Sequence, residues 1–294
     1  MSLLLVSNPL IAAECSGVDC LPKKVKKSCT EQQANGCIDW EKGVIYATGM
    51  GVANPKFKSA AQRKYSSHQA ALVVAKRNLL EMVEDVQISS SQTVKEGMLE
   101  SDVIKTEIHG TLRHVAEVGR PKSSSDGSTW VTVKMYMRDI LGALSKNEGF
   151  APMGGEVANS TVSQAENKPM SQQAKSYGGN KSTIYTGVII DASGTGVKPA
   201  MSPKILSASG EEVYGSFVIS RKYALEFGVA AYVKEMNKAK ANERVKGNPL
   251  LLKATLHSSA KKSDLKLSDA DADLLKELNK TQTFLKEARV IILL

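Results

Sequence analysis

Cysteine is scarce and confined in this 294-residue chain: Cys15, Cys20, Cys29 and Cys37 are the whole set, and none follows. Aromatic residues make up only 5% of the chain, so a core has to be built mainly from Ala, Val, Leu and Ile. No apolar run approaches the ~20 residues that a membrane-spanning helix needs. Histidine is equally sparse. His68, His109, His114 and His257 form no H-E-x-x-H, and none has a second ligand at useful spacing.

The motifs of covalent and nucleotide chemistry are missing as well. There is no G-x-S-x-G, and the S-x-x-K matches beginning at Ser258 and Ser263 lack their companion motifs. Gly49-Met-Gly51 and Gly194-Thr-Gly196 both follow β-type runs, where a phosphate loop would start. Neither continues to a third glycine or to G-K-[ST], and tight turns account for both. Asp269-Ala-Asp-Ala-Asp273 resembles the start of a calcium loop, but Leu274 stands where glycine is required and Lys280 where glutamate is. A helix N-terminus explains the acids better. No catalytic, cofactor-binding or metal-ligating residue is assigned, and no cofactor is expected.

What is present points to compartment and architecture. Residues 1–14 read as a signal-peptide-like remnant: an apolar stretch, Pro9, then Ala12-Ala13 before Glu14, without a basic n-region, since the first basic residue is Lys23. Residues 15–42 form a basic segment holding the four cysteines, spaced C-x4-C-x8-C-x7-C. An even cluster beside an export-like start predicts two disulfides, with three connectivities open. Lys23-Lys-Val-Lys-Lys27 reads as a solvated basic loop, with contact to phosphate or lipid headgroups as the alternative. Glu14 before Cys15 is neither small nor neutral, which argues against lipidation there.

Residues 43–146 read as an α+β unit, a long amphipathic helix packed on a curved antiparallel sheet. Ala61, Tyr65, His68, Leu72, Ala75, Leu79, Met82 and Val86 recur at alternating steps of four and three, which predicts one helix of about seven turns. Residues 86–94, 111–118 and 129–137 are expected as strands. The last alternates, with Val131, Val133, Met135 and Met137 opposite Thr132, Lys134 and Tyr136. A flexible linker is expected at 147–182, rich in Gly, Ser, Gln and Asn. A second, smaller α+β domain occupies 183–294, with strands near 184–191, 203–206, 212–214, 249–256 and 264–267. Helices are expected at 229–245 and from Ser268, and a buried terminal strand from Val290. The loop 192–199, with Lys198, is a possible ligand loop.

The run Gly43-Val-Ile-Tyr-Ala-Thr-Gly-Met-Gly51, the helix carrying Ala60, Ala61, Ala70, Ala71 and Ala75, then Val86-Gln-Ile-Ser and Thr93-Val-Lys-Glu-Gly-Met98, resembles the bacterial outer-membrane lipoprotein family that includes flagellar basal-disk proteins. The resemblance covers roughly 43–146. It implies an oligomer-forming envelope protein acting in motility or surface assembly, and it carries over no catalytic residue. The expectation is an exported structural or interaction protein of the cell envelope, periplasmic or outer-membrane-associated, without catalysis. Its expected partners are other envelope proteins and further copies of the chain. The membrane surface and peptidoglycan are further candidates. The excess of nine positive charges favours an anionic neighbour, but Trp40 and Trp130 are isolated and nucleic acid is not expected. The alternative is a periplasmic glycan- or ligand-binding module using Lys198, and a third reading is an undetected hydrolase.

Overall fold

The computed structural model describes residues 15–146, 178–259 and 261–294. The signal-like stretch and residues 147–177 of the expected linker lie outside these. The fold is α+β, and a long helix packs on an antiparallel sheet.

The first sheet begins earlier than position 43. Strands β1 (Glu31–Gln33) and β2 (Gly36–Asp39) pair antiparallel, and β2 continues the ladder to β3 (Val44–Gly51). The cysteine segment therefore contributes two strands to the sheet of the first unit. β3 pairs in turn with β6 (Thr129–Tyr136), which also carries the two-residue strands β4 (Ala116–Glu117) and β5 (Lys122–Ser123).

Helix α2 (Ala60–Glu84) crosses one face of this sheet. Its buried positions are Ser67, Ala71, Ala75, Leu79, Met82 and Val83. The stripe is rotated from the expected one in the N-terminal half: Tyr65 is exposed and Leu72 and His68 are half-buried. The reason lies in β3. A Cβ on Gly49 would sit 2.1 Å from the Ala75 nitrogen, and one on Gly51 would sit 2.2 Å from both the Ala71 nitrogen and the Ser67 carbonyl oxygen. These glycines stand inside a strand, not in a tight turn, and let the helix backbone rest directly on the sheet. Only small residues fit at the crossing, so Ser67 and Ala71 face inward in place of Tyr65 and Leu72.

Of two further expected strands, 86–94 is absent and 111–118 is reduced to β4. Residues 86–94 form a turn closed by an isolated bridge from Gln87 to Thr93, followed by α3 (Val94–Glu100). Thr93 and Glu96 make a reciprocal capping box that starts α3. Residues 111–113 end α4 (Asp102–Arg113), whose Ile104, Ile108 and Leu112 are buried at steps of four and whose start is capped by Ser101. α5 (Met137–Leu144) closes the unit against α4.

In the second unit a parallel sheet runs in the order β10 (Ala231–Val233), β14 (Val290–Leu293), β7 (Gly187–Asp191), β11 (Pro249–Lys253). Its central strands are buried throughout, as parallel strands covered on both faces are. A smaller sheet runs β12 (Thr255–Leu256), β13 (Leu265–Lys266), β8 (Ile205–Leu206), β9 (Glu212–Tyr214). The expected helix at 229–245 is instead β10 and then α7 (Met236–Ala241), because Tyr232 is drawn into the core beside β14. α6 (Arg221–Phe227) packs on α5, and α8 (Asp269–Thr281) starts on Ser268, whose hydroxyl accepts from the Asp271 N–H at 3.1 Å.

The two units share one apolar core. Trp40, 5% exposed, meets Tyr232, fully buried, edge to face at 5.6 Å between ring centroids. The Met201 and Ser202 N–H groups donate to the carbonyls of Gln87 and Ile88 at 2.9 and 2.7 Å. Lys261 of the second unit ion-pairs with Glu96 of the first. That ammonium, with the N–H and hydroxyl of Thr93, holds the Glu96 carboxyl down to about 2. A folded pKa below the unfolded value of ~4.3 contributes stability above that value and loses it as pH falls toward 2. The melting difference between wild type and Glu96→Gln is therefore expected to be constant above about pH 5 and to shrink below it. A difference independent of pH contradicts this clip.

Candidate functional site

The cysteine segment is stapled twice, Cys15 to Cys20 and Cys29 to Cys37, with Cα–Cα separations of 5.1 and 5.8 Å. The first bridge closes a single 3₁₀ turn (Gly17–Cys20), and the second ties the end of α1 (Lys23–Ser28) to β2. Leu21, Val25 and Cys37 form a separate small core with Tyr46 and Val118 on the sheet face opposite α2. This face is thus covered in part. Thr48 is buried beneath the segment, its hydroxyl donating to the Gly17 carbonyl at 3.0 Å. The Lys26 ammonium reaches Asp19 at 2.6 Å and lowers its carboxyl pKa.

Lys198 follows β7 on a loop that turns through Gly194 and Gly196, both at positive φ. At its root Asp191 is buried, accepting from Ser193 and paired with Lys253 at 2.9 Å. The loop carries Lys198 to the wall of a cavity of about 330 Å³ between the two units. Glu31, Ile38, Trp40, Asp85 and Gln87 line it from the first unit, Val197 and Pro199 from the second. Among the described residues the Lys198 ammonium has no acidic partner. The Gln87 amide donates to the Lys261 carbonyl at 3.2 Å, while its buried oxygen Oε1 accepts nothing among them. One cation, two carboxylates and a vacant amide acceptor around a small cavity can hold a compact polar molecule that donates hydrogen bonds. The sequence pointed to Lys198 but not to Gln87 or Trp40. Gln87 was hidden in an expected strand, and no local pattern indicates that Trp40 meets the second unit.

A second cleft between the units is lined by Lys42, Tyr223, Phe227, Arg244 and Arg289. The Arg244 guanidinium donates to the carbonyls of Ala288 at 3.1 Å, Val290 and Phe227. Burial lowers its pKa. These backbone bonds make it a tie between segments of the second unit.

The histidines are dispersed. His68 pairs with Glu117 at 2.9 Å instead of packing in the core, and His114 caps the end of α4 in solvent. His257 has Nδ1 buried without a partner among the described residues, and burial followed by the Lys266 charge pushes its pKa down. Among the described residues no histidine hydrogen-bonds a serine or threonine hydroxyl, and no three His, Cys, Asp or Glu side chains are gathered for a metal.

Residues 187–294 match the family described as Treponema pallidum Tp0624, second domain. The match begins with β7 and runs through β14, so the second unit is similar to a domain of a bacterial protein, and it spans less than half of the chain. No curated protein matches the chain. The two disulfides fit an exported protein. Among the described residues no helix is long and apolar enough to cross a membrane.

Proposed function

We propose that this chain is an exported protein of the bacterial cell envelope, periplasmic or outer-membrane-associated, that works by assembly and partner binding and performs no catalysis. The observation that carries this reading is the disulfide-stapled segment at 15–37, whose bridges persist only in an oxidising compartment. The likeness of the second unit to a Tp0624 domain is compatible with an envelope location. The resemblance of residues 43–146 to outer-membrane lipoproteins and flagellar basal-disk proteins narrows the proposal to flagellar or outer-membrane architecture, with other envelope proteins and further copies of the chain as partners. Fractionation of the tagged full-length protein, followed by cross-linking in cells, tests it. Recovery in the envelope fractions as discrete cross-linked complexes is expected; recovery in the cytosol as a monomer contradicts it.

A second reading, a periplasmic ligand-binding module, is favoured by the cavity that Lys198 and Gln87 face. It predicts saturable binding of small polar cell-wall fragments, weakened about tenfold by Lys198→Ala, in line with loss of one charge-assisted hydrogen bond. Absence of binding across such fragments dismisses it.

A further inference from the structure

We infer that the sheet face bearing α1 is a docking surface for an anionic phospholipid bilayer. The inference rests on the envelope reading above and names one partner for it.

Strand alternation divides the sheet in two. Ala47, Gly49, Val131 and Val133 lie under α2, while Tyr46, Lys134 and Tyr136 point the other way. On this second face Leu21 and Val25 seat α1 over Cys37 and Tyr46, and the register places Lys134 directly beside Tyr46. Gly119 lies against Pro22, since a Cβ there would be 3.6 Å from its Cγ, and so the segment with Arg120 and Lys122 runs next to α1. Lys23, Lys24, Lys27, Arg120 and Lys122 are all exposed, and Lys134 is half-buried. Among the described residues none of the six has an acidic partner. The acids on this face are taken: Asp19 by Lys26 and the buried Asp39 by Lys42. Six cations without an acidic partner among the described residues are thus gathered on this face, whereas Lys238, Lys246 and Lys280 are each paired with a glutamate three residues away.

The far end of the same face is apolar. Met50, 41% exposed, stands opposite the half-buried Trp130, and Val52 beyond it is 62% exposed. Cations backed by a tryptophan and flexible apolar side chains match a bilayer surface, where ammonium groups meet lipid phosphate and an indole settles at headgroup level. Single-stranded nucleic acid instead calls for open aromatic faces. Tyr136 offers none, because Arg138 lies 4.2 Å and Lys134 4.8 Å from its ring centroid.

The test is co-sedimentation of the full, oxidised chain with vesicles of phosphatidylcholine alone and of phosphatidylcholine mixed with phosphatidylglycerol. Binding to the anionic vesicles only is expected. It should collapse as salt rises from about 0.1 to 1 M and the screening length shortens from ~10 to ~3 Å. Lys23→Gln, Lys24→Gln and Lys27→Gln, combined in one triple variant, should each contribute about a fivefold loss of partitioning, the value of one charge near such a surface. Because these side chains are solvent-exposed, the melting temperature should not move. The triple change Lys238→Gln, Lys246→Gln and Lys280→Gln removes the same charge elsewhere and should leave binding intact. Equal binding to neutral vesicles, equal loss in the two triple variants, or binding to peptidoglycan sacculi or DNA but not to vesicles overturns the inference. None of these results touches the export reading, which the fractionation decides separately.

Discussion

Alanine in place of Gly51 is expected to destabilise the protein by about 3 kcal/mol or more, the upper end of the overpacking range. The added methyl would meet the Ala71 nitrogen and the Ser67 carbonyl oxygen at 2.2 Å, both backbone atoms of α2. Backbone held in a 25-residue helix cannot step aside as the end of a flexible side chain does. The helix must lift off β3, and the contacts of Ala71, Ala75 and Leu79 with the sheet loosen together. Gly142 supplies the control: it lies in α5 with nothing within 4 Å of its absent Cβ, so Gly142→Ala should gain up to ~1 kcal/mol from helix propensity alone. Urea unfolding of the two variants reads the difference. A Gly51→Ala protein as stable as wild type would mean that the helix does not rest on the strand in this way.

Trp40→Ala is expected to cost about 3–5 kcal/mol, as truncation of a buried tryptophan does. It should also affect both halves of the molecule. The indole is anchored from the first unit, its Nε1–H donating to Glu31 at 3.0 Å, while its ring edge meets Tyr232. The Tyr232 hydroxyl in turn accepts from the Ala200 N–H and donates to the Ala200 carbonyl, both at 3.0 Å, at the root of the Lys198 loop. Calorimetry of wild type should show one cooperative transition, lowered by roughly 10 °C in the variant at the usual 2–4 °C per kcal/mol for a chain of this size. Two separate transitions in wild type, of which Trp40→Ala shifts only the first unit's, would contradict the shared core.

How far these contacts could be read in advance depended on whether their cause was local. The four-three recurrence of apolar residues marked α2 almost to its ends, alternation sorted β6 into its two faces, and the acids after Ser268 marked the start of α8. Local signals were also present for the absent strand at 86–94 and for the helical start of 111–118: Thr93 with Glu96 is a capping box, and Ile104, Ile108 and Leu112 are a helical stripe behind Ser101. There β-forming residue types outweighed caps that in fact decide the backbone. The rotation of the α2 stripe was not legible, because it is imposed by glycines on a strand at least sixteen positions earlier. The same holds for the site. Lys198 stood out on its glycine-rich loop, whereas Gln87 and Trp40 acquire meaning only when the two units close on each other.

Differential alkylation and mass spectrometry of the protein, taken from its native cells without reductant, test the central claim most directly. The account predicts no free thiol and two linked peptide pairs, Cys15 with Cys20 and Cys29 with Cys37. Four alkylated cysteines would place the folded chain in a reducing compartment and contradict it.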